Sequence, residues 1–333
     1  MDNNESSPAA KPRPLASIFM YSVAFILGTT GNGLVIYVTG CKMKKTVNTV
    51  WFLNLAVADF VFTAFLPVTI VNSSRRYDWP FGDFLCKLNT LVVVLNMFAS
   101  IFILTAISID RCLCTWVVVW AKNKRTPRKA EIICIIIWLA ALGCSLPYAI
   151  PRAAISEGNG TLCAHKNETI ETFTNEVMFR FFAGFLIPFL VIVVSYIAIG
   201  VRIRSLQSKK IFKSIRIILA VVMTFILCWL PFHIFQFLLV KWSKSEYDEA
   251  LDKAINIGMP LSTSLAFFNS CLNPFLYVFM CEDFKKKLRQ SILTVLEGAF
   301  YEELPLLSVS RASTFVKVEV TELRDAEGNS QSF

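Results

Sequence analysis

The chain has 333 residues, of which 55% are hydrophobic and only 17% charged, with 29 phenylalanines and a mean hydropathy of +0.56. A soluble protein of this length divides into about two domains, but the apolar stretches here are too long and too closely spaced for that. The formal net charge of +9 matters through its placement, which suits membrane lipids and proteins, and no nucleic-acid partner is expected.

Residues 1–14 are polar, with Pro8, Pro12 and Pro14, and lack the short apolar region and cleavage site of a signal peptide. They read as an N-terminal segment, with the first span as insertion signal. About 20 apolar residues cross a bilayer, and residues 15–40, 49–71, 84–116, 132–150, 177–201, 211–240 and 254–280 qualify. The third, fifth and sixth exceed a minimal span, which predicts tilt or protrusion. The backbone must satisfy itself in lipid, so the expected fold is an all-α membrane protein, a seven-transmembrane helix bundle over 15–280. Beyond it Phe284, Leu288, Ile292 and Leu296 recur every four residues, with Lys285, Lys286 and Arg289 between them. That pattern predicts an amphipathic eighth helix lying on the membrane over 281–297. No cysteine follows at its far end to carry a palmitoyl anchor. Residues 298–333 read as a disordered tail, where Ser308, Ser310, Ser313 and Thr314 are candidate phosphorylation sites.

Basic residues set the orientation. The connection after the first span carries Lys42, Lys44 and Lys45, the one after the third Lys122, Lys124, Arg125, Arg128 and Lys129, and the one after the fifth Arg202, Arg204, Lys209, Lys210, Lys213 and Arg216. The opposite loops carry far fewer. Positive charge prefers the cytoplasm, so the N-terminus is expected outside and the C-terminus inside, at the plasma membrane. The sequons at Asn4, Asn72, Asn159 and Asn167 then all face outward. Only Cys86 and Cys163 of the ten cysteines fall in oxidising space, so they form one disulfide or remain two free thiols.

Polar residues inside the spans need a reason. Asp59 is the one acid deep in a span, and Asn32, Asn96, Ser100, Asn269, Ser270 and Asn273 stand at comparable depth. Asp59, Asn96, Ser100, Asn269 and Asn273 offer oxygen ligands for a structural Na⁺; the alternative is a hydrogen-bonded polar core without an ion. No other cofactor is expected. Asp110 and Arg111 end the third span, and prolines at 231 and 274 supply kinks that a moving helix can use as hinges.

These features together resemble the rhodopsin-like G-protein-coupled receptors over about residues 15–297. The marks are Gly31-Asn32, Leu55-Ala56-Val57-Ala58-Asp59, Cys86, Asp110-Arg111-Cys112, Trp138, Pro188, Tyr196, Cys228-Trp229-Leu230-Pro231 and Asn273-Pro274-Phe275-Leu276-Tyr277, at least one on each span. Trp79-Pro80-Phe81-Gly82, Asp110-Arg111-Cys112 and Asn269-Ser270-Cys271-Leu272-Asn273-Pro274 are similar to the chemoattractant branch, nearest to formyl-peptide and chemerin-type receptors. The resemblance implies a non-enzymatic receptor for a peptide or acidic lipid chemoattractant, acting through a heterotrimeric G protein of the Gi class, with arrestin and receptor kinases as later partners. It implies that Asp110 holds Arg111 at rest. On activation Arg111 packs near Tyr196 and Tyr277, while Trp229, Asn273 and Pro274 lie along the moving spans.

Alignment on Cys86 and Arg111 puts Val93 where amine receptors keep an aspartate, which argues against an amine ligand. Val94 stands where formyl-peptide receptors carry an aspartate, and those receptors carry a further arginine near Val177 or Met178; a chemerin-like or other peptide, or a lipid acid, fits better. Arg180, about two turns outside Pro188, is the expected carboxylate contact. Arg152, at the outer end of the fourth span, either shares that role or snorkels to headgroups. Asn89, Thr90, Met97, Phe232, His233, Gln236, Met259 and Thr263 complete the expected lining, with His233 alternatively a neutral core histidine. The competing classes are a scavenging receptor without G-protein output and a transporter; the repeats expected of many transporters are not found in the sequence.

Overall fold

In a bilayer, backbone N–H and C=O groups have no water to bond, so each long apolar segment closes its own hydrogen-bond ladder as a helix. The computed structural model describes residues 15–158, 160–206, 209–245, 248–280 and 284–290, with the side chains of 120, 122, 203–218, 221 and 276–280 outside the description. Helix α1 (Leu15–Tyr37) ends in a π-helical turn, Val38–Lys42, and α2 (Val47–Ser74) and α3 (Gly82–Trp116) follow. A short α4 (Val118–Lys124) leads to α5 (Pro127–Ala149) and a hairpin of β1 (Arg152–Glu157) and β2 (Gly160–His165). Helix α6 (Ile170–Phe181) runs through a π-helical turn, Phe182–Leu186, into α7 (Ile187–Leu206), and α8 (Lys209–Lys244) and α9 (Glu249–Met280) complete the bundle. Since α6 and α7 are halves of one span, the spans are the seven expected.

Polar threonine caps start three of the helices, α2, α5 and α6. Thr46 and Thr49 cap α2 reciprocally, the Thr49 amide donating to Thr46 Oγ1 at 3.2 Å and the Thr46 amide to Thr49 Oγ1 at 2.8 Å. Thr126 caps α5, with Pro127 at its first position. Thr169 caps α6, accepting from the Thr172 amide at 3.1 Å, and so starts the fifth span seven residues before residue 177. The π turn in that span follows from Pro188, which has no N–H for the Gly184 carbonyl. Six helices among the described residues are long and apolar enough to cross a membrane. Helix α9 is long enough but is diluted by Ser262, Thr263, Ser264, Asn269, Ser270 and Asn273.

Helix α3 is the axis. Two thirds of its apolar window (67%) is buried, against 28–39% in the other five, and it packs on α2, α5, α7 and α8. Helix α1 packs on α2 and α9, and α9 on α8, which brings the last span back to the first. Residues 284–290 are helical. The rest of the expected eighth helix, the segment 1–14 with Asn4, the tail with Ser308 to Thr314, Asn159 and the side chain of Tyr277 lie outside the described residues.

Candidate functional site

At the hairpin end of the bundle, Arg180 sits in the last turn of α6. Its Nη2 donates to Gln236 Oε1 at 3.1 Å, and its Cζ lies 5.2 Å from the Tyr148 ring centroid and 5.4 Å from that of Phe232. Two aromatic faces and one amide hold the cation, yet Nε is buried without a partner. Among the described residues no carboxylate forms an ion pair with it. Gln236 Nε2 reaches Met259 Sδ at 4.0 Å. His233, 1% exposed, lies 4.9 to 6.4 Å from the Phe185, Phe232, Phe181 and Trp229 ring centroids, and its Nε2 has no partner. It is therefore a buried histidine with one nitrogen still unsatisfied.

The structure thus brings together Arg180, Phe232, His233, Gln236 and Met259, and adds Tyr148. Other expected lining residues are engaged elsewhere. Thr69 Oγ1 donates to Asn89 Oδ1 at 3.5 Å, and Thr90 bonds the Cys86 carbonyl one turn back at 3.0 Å. Val93 packs against the cluster of Tyr21, Phe62, Leu66 and Phe267. Val94 and Met97 are buried, Met97 against Gly184, and Thr263 is half-buried on α9. Arg152 is not at a helix end. Pro151 ends the fourth span, and Arg152 opens β1 opposite His165, with its Nε buried and unpartnered. Sequence reasoning missed the hairpin neighbours of the site. His165 Nε2 lies 3.4 Å from Glu176 Oε1, and the Tyr148 hydroxyl donates to the Glu176 carbonyl at 2.8 Å. Only proximity across three elements reveals these contacts, and spacing along the chain carries no signal of it.

The hairpin is pinned in place. The Cys86–Cys163 disulfide, with Cα atoms 5.5 Å apart, ties β2 to the start of α3. The Trp79 amide donates to the Thr161 carbonyl at 2.6 Å, and the Thr161 amide to Asp78 Oδ1 at 2.9 Å. Asp83 Oδ1 accepts from the Ala154 amide at 2.6 Å. The Thr161 amide, with Arg75 beside it, holds the Asp78 carboxyl below the usual carboxylate range.

In the middle of the bundle Asp59 is fully buried. Asn273 Nδ2 donates to its Oδ2 at 2.7 Å. The Asn96 amide, oriented by its neighbours, donates to Asp59 Oδ1 at 3.2 Å and to the Ala58 carbonyl at 3.1 Å, and accepts from Ser270 Oγ at 3.0 Å. Ser100 flanks the carboxylate. Asn32 Nδ2 ties α1 to this layer, donating to the Ser270 carbonyl at 2.8 Å. The Oδ1 atoms of Asn269 and Asn273 are buried with no donor. The orphaned Asn273 carbonyl oxygen belongs to a residue that bonds the buried carboxylate, and an amide oxygen beside a carboxylate suits a small hard cation, so the residues present fit Na⁺. Between this layer and Arg180, Trp229 packs on Phe225 at 5.8 Å and edge-on to Phe232 at 5.7 Å.

At the opposite end, Asp110 is clamped by a residue the sequence marked only as loop charge. Arg125 Nε and Nη2 donate to its two oxygens at 2.8 and 2.9 Å, and Nη2 also donates to Asn48 Oδ1 at 2.7 Å. Arg111 hydrogen-bonds Asn48, and its Nε stands 3.9 Å from Asp110. Asp110 does face Arg111, as expected, but its closer partner is Arg125. The geometry is that of a bidentate fork. Tyr196 is close to Ser108 and Arg111, its hydroxyl without a hydrogen bond among the described residues.

A buried cation near the pinned hairpin, a polar layer at mid-depth and a charged clamp at the far end are carried on one seven-helix bundle. The chain belongs to the 7 transmembrane receptor (rhodopsin family), whose profile matches residues 31–277, and it is a receptor rather than an enzyme, a multi-pass protein of the plasma membrane. It is 40% identical over 315 residues to a C3a anaphylatoxin chemotactic receptor of Danio rerio, covering 94% of this chain and 85% of that one. It is 35% identical over 338 residues to a chemerin-like receptor 1 of Rattus norvegicus (96% and 89% covered) and 40% identical over 299 residues to an N-formyl peptide receptor 2 of Pongo pygmaeus (86% of each). Its relatives are chemoattractant receptors.

Proposed function

We propose that the chain is a receptor for a peptide chemoattractant whose terminal carboxylate is taken by Arg180 under the hairpin. The observation that carries this is the buried guanidinium of Arg180, ringed by Tyr148 and Phe232, bonded to a neutral amide and, among the described residues, with Nε unpartnered. A cation so desolvated is costly unless an anion arrives. The relatives named for C3a and for chemerin make peptides the first ligands to try, with lipid acids second. In this reading the hairpin and N-terminus face outward. Ligand binding opens the Asp110 end to a heterotrimeric G protein, probed first as Gi, and kinases and arrestin then act on the tail serines. Asn167, exposed in a turn, is the preferred glycan acceptor of the described sequons, because Asn72 lies in the last turn of α2 with its amide oxygen buried. Asp59, Asn96, Ser100, Asn269 and Asn273 would hold Na⁺, which supplies a counter-charge to Asp59 and favours the packed resting state.

The test is a G-protein activation assay in cells expressing the full chain, with C3a, chemerin, formylated peptides and acidic lipids as ligands. Wild type responds to a carboxylate-ended peptide. Arg180→Ala loses roughly a hundredfold or more in potency at normal surface expression, the size of a buried charge contact. Unchanged potency in Arg180→Ala sinks the assignment, and binding without any G-protein response marks a scavenger instead.

A further inference from the structure

Between α4 and α5 the chain is extended over two residues, Arg125 at φ −84°, ψ 103° and Thr126 at φ −123°, ψ 151°. Thr126 is exposed, as are Lys124, Arg128 and Lys129 beside it. Its Oγ1 accepts from the Lys129 amide at 3.4 Å, a long cap bond. The run Lys124-Arg125-Thr126-Pro127-Arg128-Lys129 sets four cations around that one hydroxyl. No acid lies in the first turn of α5, and the one acid of that helix, Glu131, is paired with Lys45. Among the described residues Lys124, Arg128 and Lys129 form no ion pair. Arg125, by contrast, donates to both oxygens of Asp110 at 2.8 and 2.9 Å. An accessible hydroxyl in a cationic loop is thus the immediate neighbour of the residue that closes the clamp.

We propose that Thr126 is a phosphorylation site and that its phosphate loosens the Asp110 clamp by drawing on Arg125. Pro127 directly after the hydroxyl, with Arg128 and Lys129 beyond it, is the pattern of a substrate for a proline-directed protein kinase. The step transfers the γ-phosphoryl group of ATP to Thr126 Oγ1; the bond to the β-phosphate breaks, ADP leaves and the hydroxyl proton is released. The new group carries about −1.5 to −2 charges and three acceptor oxygens. It meets flanking cations and the start of α5, both of which favour an anion. Arg125 then lies next to a second anion that competes with Asp110 for the same guanidinium. The phosphate is exposed and the fork is half-buried, so the clamp is weakened rather than abolished. This rests on the reading that the Asp110 end faces the cytoplasm, where kinase and ATP are found, and it adds a control point outside the tail serines.

The test needs no known ligand. The purified full chain in detergent is incubated with a proline-directed kinase and ATP, and the chymotryptic peptide that carries Thr126 is read by mass spectrometry. Phosphate is expected on Thr126 in wild type, retained in Thr126→Ser and lost in Pro127→Ala, which keeps the hydroxyl. A wild-type peptide without phosphate overturns the site. The effect on the clamp is read as basal G-protein activation in cells expressing the full chain. Thr126→Asp keeps a cap and supplies an anion, and should raise basal activation by roughly twofold to fivefold, the range an exposed charge contact supports. Thr126→Asn keeps the cap without the charge and should match wild type. In an Arg125→Ala background Thr126→Asp should add nothing. Basal activation equal to or below wild type in Thr126→Asp, or the same rise with Arg125 removed, overturns the link to the clamp. If Thr126→Asp does not reach the cell surface, the phosphorylated wild-type protein is compared with the unmodified one for nucleotide exchange on purified G protein; faster exchange supports the proposal and equal or slower exchange overturns it. A C-terminal epitope separates the site from the orientation it rests on. Staining of unpermeabilised cells defeats the orientation, whereas staining only after permeabilisation, with Thr126 refusing phosphate, defeats the site alone.

Discussion

At the scale of single residues, the charged clamp at Asp110 decides how firmly the resting bundle is closed. Arg125 satisfies both carboxylate oxygens and also bonds Asn48, so one loop side chain fastens the connection after α3 to both α3 and α2. Arg125→Ala leaves Asp110 with Arg111 at 3.9 Å and removes three charge-assisted bonds, at a cost of about 1–3 kcal/mol. The expected outcome is raised basal G-protein activation and a lowered melting temperature, with Asp110→Asn no worse when added to Arg125→Ala. Unchanged basal activity would show that the clamp does not restrain the switch. Asp110 and Arg111 were legible in the sequence because intramembrane charge is rare. Arg125 was not, because a basic residue in a basic loop looks the same whether it meets lipid headgroups or a carboxylate 15 positions earlier. Arg180 was legible on the first ground, whereas the grouping of Glu176, His165 and Tyr148 was not, because it exists only through contacts between α5, α6 and the hairpin.

At the scale of elements, close approach and pinning do different work. Helices α8 and α9 pack so tightly that a Cβ on Gly258 would fall 1.9 Å from the Phe235 ring. Gly258→Ala must push that ring aside, at about 1–3 kcal/mol, and should lower the melting temperature while leaving the hairpin intact; an unchanged value would mean that the ring swings clear without cost. The hairpin depends instead on polar contacts with the connection between α2 and α3. The Asp78 carboxyl is held below the usual carboxylate range by the Thr161 amide and Arg75. Its contribution is therefore fully present above about pH 4 and is lost as pH falls through the depressed folded value. The protection of the Thr161 amide from hydrogen exchange, relative to its intrinsic rate at each pH, should fall in Asp78→Asn at neutral pH, whereas in wild type it falls only in acid. Equal protection in the two at neutral pH would remove Asp78 from the pinning. The spans were readable to within several residues because lipid demands long apolar runs. The hairpin was not, since residues 152–165 carry only a short alternating pattern and its register is set by Cys86, Asp78 and Asp83 from elsewhere in the chain.

At the scale of the whole molecule, the mid-bundle layer ties together helices that run from the Arg180 end to the Asp110 end. Asp59 on α2, Asn96 and Ser100 on α3, and Ser270 and Asn273 on α9 converge there, and Asn32 adds α1. A layer touching four helices is an element both ends can bias, which is what a two-state bundle requires. A cation bound to Asp59 that favours the resting packing must lower agonist affinity, and by linkage the agonist lowers the affinity for the cation by the same factor. Raising sodium chloride in place of choline chloride should therefore reduce agonist affinity of the wild-type receptor, by roughly fivefold or more. Asp59→Asn keeps an amide able to bond Asn273 but removes the charge, so its agonist affinity should no longer respond to sodium. If Asp59→Asn shows the same sodium dependence as wild type, the layer is a hydrogen-bonded core without an ion. Coupling between the two ends must then run through the packing of Trp229 on Phe225 and Phe232, where substitution of Trp229 would be the next place to look for its loss.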